Sequence, residues 1–217
     1  MSMVKSNPRI ICVSGQMRCG KDAVTKHLIE KLNAVNQGGL RWQRNAFAQA
    51  IKQIVCDTFG VTMEFVEEWK TKAEFPPGGF QMTMRQMLQN IGDYFRAMKS
   101  SVWIDVLFTR IAQGGRPTVI GDSRYPKEMR AAKEHGGLNI VVWRPDWENH
   151  DASKTETSIL PVVEYFIATG REGWVGDMEH PADAPDGAEV TDIFLINCGS
   201  LEEMWEKVDR LVLPHLL

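Results

Sequence analysis

A chain of 217 residues, 43% hydrophobic and 24% charged, has ordinary globular composition and is long enough for one well-buried core with an inserted subdomain. Its formal net charge of -3 excludes bulk attraction to polymeric nucleic acid or to an acidic membrane, so a polyanion must be met by cations concentrated in a site. Cys12, Cys19, Cys56 and Cys198 form neither a C-x-x-C pair nor an extracellular framework, the first residues lack an apolar signal core, and no run approaches the roughly 18 apolar residues of a membrane span. One cytoplasmic domain is the expectation.

The apolar run Ile10, Ile11, Cys12, Val13, closed by Ser14-Gly15, predicts a strand buried on both faces of a parallel sheet. A helix follows over 21–35, with Val24, Leu28, Ile29, Leu32 and Val35 on one face, ended by residues 36–39. A second strand is expected over 40–47 and a helix over 48–59 with Ile51, Ile54 and Val55 inward. The tract 62–80 is less regular, and Pro76-Pro77-Gly78-Gly79 breaks any helix there. Helices are expected over 83–99, carrying Met84, Met87, Leu88, Ile91 and Phe95, and over 101–113, carrying Trp103, Val106, Leu107 and Ile111.

Residues 118–122 form a short strand with Asp122 at its C-terminal end, 128–135 a helix, and 139–143 another buried strand. Residues 155–191, rich in Gly, Pro and acids around one apolar stretch at 160–167, predict an excursion from the sheet. A last strand, 193–196, precedes a helix opened by the capping-box pair Ser200 and Glu203. Strands alternating with helices imply an α/β fold with a parallel sheet and right-handed crossovers.

The chemistry-bearing stretch is Gly15-x-x-x-x-Gly20-Lys21, which lies between a buried strand and an amphipathic helix. Backbone N–H groups, the helix dipole and Lys21 converge there on one anion. The usual loop ends in a hydroxyl that ligates magnesium, whereas Asp22 stands here. Near a triphosphate a carboxylate is repelled unless it faces magnesium, directly or through water; helix capping is the alternative, and Thr25 is a weaker hydroxyl substitute.

Asp122 lies where open parallel sheets bind ligands, and Arg124 is a cation of the kind that stabilises a transferring phosphoryl group. Arg85 and Gln89 share one helix face, while Arg44 and Lys52 flank the second strand–helix junction. Trp103, Met84 and Met87 suit a core better than a base-stacking platform, and the histidines have no zinc-like spacing.

Taken in order, GQMRCGKD at 15–22, FAQAIK at 47–52, MRQMLQNIGD at 84–93, IGDSRYPKEM at 120–129, VVWRP at 141–145 and INCGSLEEMWEKV at 196–208 resemble bacteriophage-type deoxynucleoside monophosphate kinases. That family also tends to carry Gly-Lys-Asp in its loop. The resemblance implies a P-loop nucleoside monophosphate kinase fold, with a monophosphate-binding insertion over about 40–100 and a lid over about 146–190 of a single domain. It implies ATP and a deoxynucleoside monophosphate as substrates, magnesium on the side of Asp22 and Asp122, and a cytoplasmic location, in the host if the source is viral. A homodimer is compatible with it.

By the same likeness Gly15, Gln16, Arg18, Cys19, Gly20, Lys21 and Asp22 hold ATP phosphates, with Arg144 a further phosphate or lid-side cation and Asn197 at the adenine. Arg44, Lys52, Arg85, Gln89 and Arg124 surround the acceptor, and Lys21, Asp122 and Arg124 serve the transfer. Residues 53–82 are shorter than in the best-known members and 164–186 carry only Arg171 as a cation, so base specificity and lid arginines are not carried over. Alternatives are a kinase of another small phosphorylated metabolite, such as phosphomevalonate, and a nucleotide-dependent switch without an acceptor.

Overall fold

A computed structural model describes residues 8–36, 38–145 and 157–217. Two compact units are formed, one from the chain up to Asn45 together with Gly115–Leu217, the other from Ala46–Gly114.

The first unit is an α/β layer structure. Strands β1 (Ile10–Ser14), β2 (Gln43–Asn45), β3 (Thr118–Ser123), β4 (Leu138–Trp143), β5 (Gly173–Trp174) and β6 (Ile193–Ile196) make one sheet in the order β2-β3-β1-β4-β6-β5. All pairings are parallel except β5 with β6. Strand residues alternate between two apolar layers, as the two-residue period requires. Leu138, Ile140 and Val142 pack with Ile193 and Leu195 against α1 (Lys21–Val35) and α8 (Leu201–Leu211), through Val24, Leu28, Met204 and Val208. Val141 and Phe194 face the other way, onto Met129 of α6 (Pro126–Glu134) and Val162, Val163 and Phe166 of α7 (Leu160–Thr169).

Three expectations are corrected here. The second strand is confined to Gln43–Asn45, because beside it only Thr118, Val119 and Ile120 of β3 offer a partner. The apolar stretch within 155–191 is no excursion: it forms α7, whose Val162 and Phe166 are fully enclosed together with Ile159 just before it, and β5 then closes the sheet edge antiparallel to β6. Val35 is exposed, so the inward face of α1 is Val24, Leu28 and Leu32. Of the lid expected over about 146–190, residues 146–156 lie outside the described residues. Ser200 and Glu203 do form the expected capping box, with Glu203 N–H donating to Ser200 Oγ at 3.1 Å and Ser200 N–H to Glu203 Oε2 at 2.7 Å.

The second unit is helical: α2 (Gln49–Phe59), α3 (Met63–Trp69), α4 (Met84–Met98) and α5 (Val102–Gly114). Helix α3 falls in the tract expected to be irregular. Thr62 caps it by accepting from Phe65 N–H at 3.2 Å, and only Val66 of its seven residues is buried, so its periodic signal is weak. Val55, Val66, Met84 and Met87 form one small core and Ala50, Ile51 and Trp103 another, which assigns the methionines and the tryptophan to packing. Trp103 Nε1 donates to Gly92 O at 3.0 Å. Among the described residues, no helix is long and apolar enough to cross a membrane.

Candidate functional site

The turn from β1 into α1 has a backbone that only its own sequence tolerates. Gly15 has φ 145°, and a Cβ there would stand 2.3 Å from Val142 O and 2.7 Å from Cys19 Sγ. Gly20 has φ 106°, and its Cβ would meet Asn197 Nδ2 at 2.6 Å. Between them Arg18, at φ 60°, is the one non-glycine residue with positive φ among the described residues. Right- and left-handed backbone in succession curls N–H groups inward, the geometry of an anion-holding nest.

Gln16 O closes the curl from within, accepting from Cys19 N–H at 3.4 Å. Gly20 is the N-cap of α1, and no side chain caps that end. The first-turn N–H groups of α1 have no acceptor within the helix, and the dipole adds positive potential there. Capping is thereby removed as a role for Asp22, which stands inside the first turn.

Lys21 is only 6% exposed. Its ammonium folds back over the loop, donating to Gln16 O and lying 3.9 Å from Cys19 Sγ. Burial depresses its pKa; the Cys19 thiol opposes that shift, Arg124 adds to it, and Asp22 and Asp122 oppose it. Burial also raises the Cys19 thiol, so it stays protonated beside the lysine.

Asp122 is half-buried within β3, and Arg124 follows one residue past that strand. The turn they stand on is held by Glu128, 5% exposed, whose Oε2 accepts from Arg124 N–H at 2.8 Å and Tyr125 N–H at 3.2 Å. In the sequence Glu128 reads only as the start of a helix, and this role is not legible from that alone. A signal is present: Glu128 is the third residue of a helix opened by Pro126. Beneath the turn, Cys12 is pushed up to about 12 by burial, with Ser123 and Ser14 as neighbours that oppose the shift. Thr25 is fully enclosed, its side chain fills the space over Gly121 that a Cβ would take, and its Oγ1 has no hydrogen-bond partner.

Two further expected site residues have partners within the protein. Arg44, expected at the acceptor, forms an ion pair with Asp22 on the outer side of α1, the two side chains being 51% and 78% exposed. Asn197, expected at the adenine, donates from Nδ2 to Cys19 O at 2.9 Å, which ties its carboxamide to the loop. Beyond it a cleft of about 520 Å³ is lined by Asn197, Cys198, Gly199, Glu203, Lys207 and Arg210, among others. Arg18 and Arg144 are exposed.

Lys52, Arg85 and Gln89 belong to the second unit. Lys52 Nζ donates to Glu67 Oε1 at 2.5 Å, and Lys70 also pairs with Glu67, so the positive charge of Lys52 is already shared. Arg85 and Gln89 are exposed one turn apart on α4, as their spacing predicts. Among the described residues no three His, Cys, Asp or Glu side chains are grouped to hold a metal ion by themselves.

Fold and site together define an α/β protein with a mostly parallel six-stranded sheet and a glycine-bounded turn of positive φ where β1 enters α1. No family model matches the chain, and no curated protein matches it.

Proposed function

We propose that this chain is a P-loop nucleoside monophosphate kinase that transfers the terminal phosphoryl group of ATP to a deoxynucleoside monophosphate, giving the diphosphate. The observation that carries the proposal is the nest of residues 15–20 running into an uncapped α1, with a buried lysine folded over it. A cation so enclosed is costly unless an anion is to be met.

The acceptor oxygen of a monophosphate is already ionised near neutral pH, its second pKa being about 6. No general base is needed, and the protein's task is to align, to spread positive charge and to exclude water. Loop N–H groups and Lys21 hold the donor phosphates, with Gln16 and Cys19 as loop backbone and Arg18 and Arg144 as outer cations. Arg124, kept in place by Glu128, lies on the transferring group, and Arg85 with Gln89 and Lys52 receives the acceptor.

Asp22 and Asp122 each favour the charged form of Lys21, so each is a candidate carboxylate for a metal ion near it. That fits magnesium, which takes one or two carboxylates beside phosphate oxygens and water. When bound, the ion neutralises charge on the donor phosphates.

The testing experiment is an ADP-release assay with each common monophosphate, on protein purified free of host kinases. Turnover that requires a deoxynucleoside monophosphate supports the proposal. Turnover indifferent to any acceptor refutes it in favour of a nucleotide switch, and preference for a phosphorylated non-nucleotide such as phosphomevalonate moves the acceptor class.

A further inference from the structure

We propose that Asn197 is a positioning residue that aims one N–H of the loop at the donor phosphates, an inference that rests on the phosphate-binding role proposed above. Asn197 is itself tied down: its backbone N–H donates to Trp143 O at 2.7 Å, at the end of β4. From that anchor its Nδ2 donates to Cys19 O at 2.9 Å. A planar trans peptide points its C=O and the following N–H in opposite directions, and no cis bond occurs among the described residues. Fixing the Cys19 carbonyl on Asn197 therefore turns the Gly20 N–H to the other side of the chain, into the hollow of the nest.

The contact has no slack. Gly20 lies so close to the carboxamide that a Cβ would sit 2.6 Å from Nδ2. Gly15 is pressed on Val142 O in the same way, so the loop is braced at both ends by the β4–β6 side of the sheet. The carboxamide must present its N–H and not its oxygen, because the atom facing it is a carbonyl oxygen. An aspartate of the same shape would set oxygen against oxygen and favour rotation of the Cys19–Gly20 peptide, which carries the Gly20 N–H out of the nest.

A brace acting through the backbone weakens every polyphosphate alike, whereas a residue that reads adenine weakens only ligands that carry the base. Calorimetric titration of the full chain with ATP and with inorganic tripolyphosphate, both with magnesium, separates the two. Asn197→Asp is expected to weaken both ligands by the same factor, about tenfold or more, a factor equivalent to about 1.4 kcal/mol. Loss for ATP with tripolyphosphate spared overturns the proposal, and so does unchanged affinity for both in a folded variant. Should Asn197→Asp fail to fold, Asn197→Ala, which removes the donor without adding charge, must give the same equal loss. Failure of the wild-type chain to bind either ligand refutes the phosphate-loop assignment itself, and the brace falls with it.

Discussion

Replacing Lys21 by methionine separates its cost to the fold from its use. In the structure Lys21 is 6% exposed and its ammonium is bonded to Gln16 O. A phosphate charge about 4 Å from it, at an effective dielectric of about 20, interacts by about 4 kcal/mol. Leaving Gln16 O for that phosphate gives up a hydrogen bond of about 1 kcal/mol, so about 3 kcal/mol remains. Lys21→Met should lower turnover by about a hundredfold or more.

Stability should move the other way. Burial lowers the lysine pKa, so the folded chain holds this proton less tightly than the unfolded chain does. Between the lowered folded value and the unfolded value near 10.4, wild-type stability rises with pH; below that window the buried charge is a constant penalty. Lys21→Met, similar in length and uncharged, removes the penalty, and each kcal/mol gained lifts the melting midpoint by about 2–4 °C in a chain of this size. Nucleotide-free melting between pH 7 and 10, beside the ADP-release assay, reads both effects. A folded variant with near-normal turnover and a lower midpoint would refute the reasoning.

Gly15→Ala should destabilise by about 2 kcal/mol or more, a fall of about 4–8 °C in midpoint, because the new Cβ meets a backbone carbonyl at a φ that L residues avoid. An unchanged midpoint would mean that the loop is not pinned on β4. Asp209 accepts from His27 at 2.7 Å and Lys31 at 2.6 Å; burial raises its pKa, but those bonds outweigh it and the net value is lowered. A carboxyl so depressed adds stability above its unfolded value of about 3.9 that is lost as pH falls through the folded value. Asp209→Asn should thus be less stable at pH 7, by about 1 kcal/mol for a carboxylate one-third exposed, with the gap closing in acid melts. Arg85→Lys should raise KM for the monophosphate and leave that for ATP within about twofold, since lysine lacks the fork that grips a phosphate; the reverse pattern would exchange the two sites.

The parts of this protein legible from sequence are those in which the backbone answers to its own neighbours. Gly15, Gly20 and Lys21 announce a glycine turn into a helix because positive φ and a helix start are local demands, and Ser200 with Glu203 announces a cap within four residues. The apolar runs of β1, β4 and β6 announce buried parallel strands, since a strand covered on both faces has no polar alternation to show. Cross-chain pairing is a different matter. Nothing near Asn197 says that its amide meets Cys19 O, 178 residues away, or that Asp22 turns to Arg44, 22 residues on. Those partners meet because the sheet order β2-β3-β1-β4-β6 brings distant segments side by side, and adjacency of strands is settled by how two apolar faces are covered together. For the same reason only the tertiary structure decides that Lys21 is buried, that Lys52 is claimed by Glu67, and that the acidic, proline-rich segment after residue 157 supplies core.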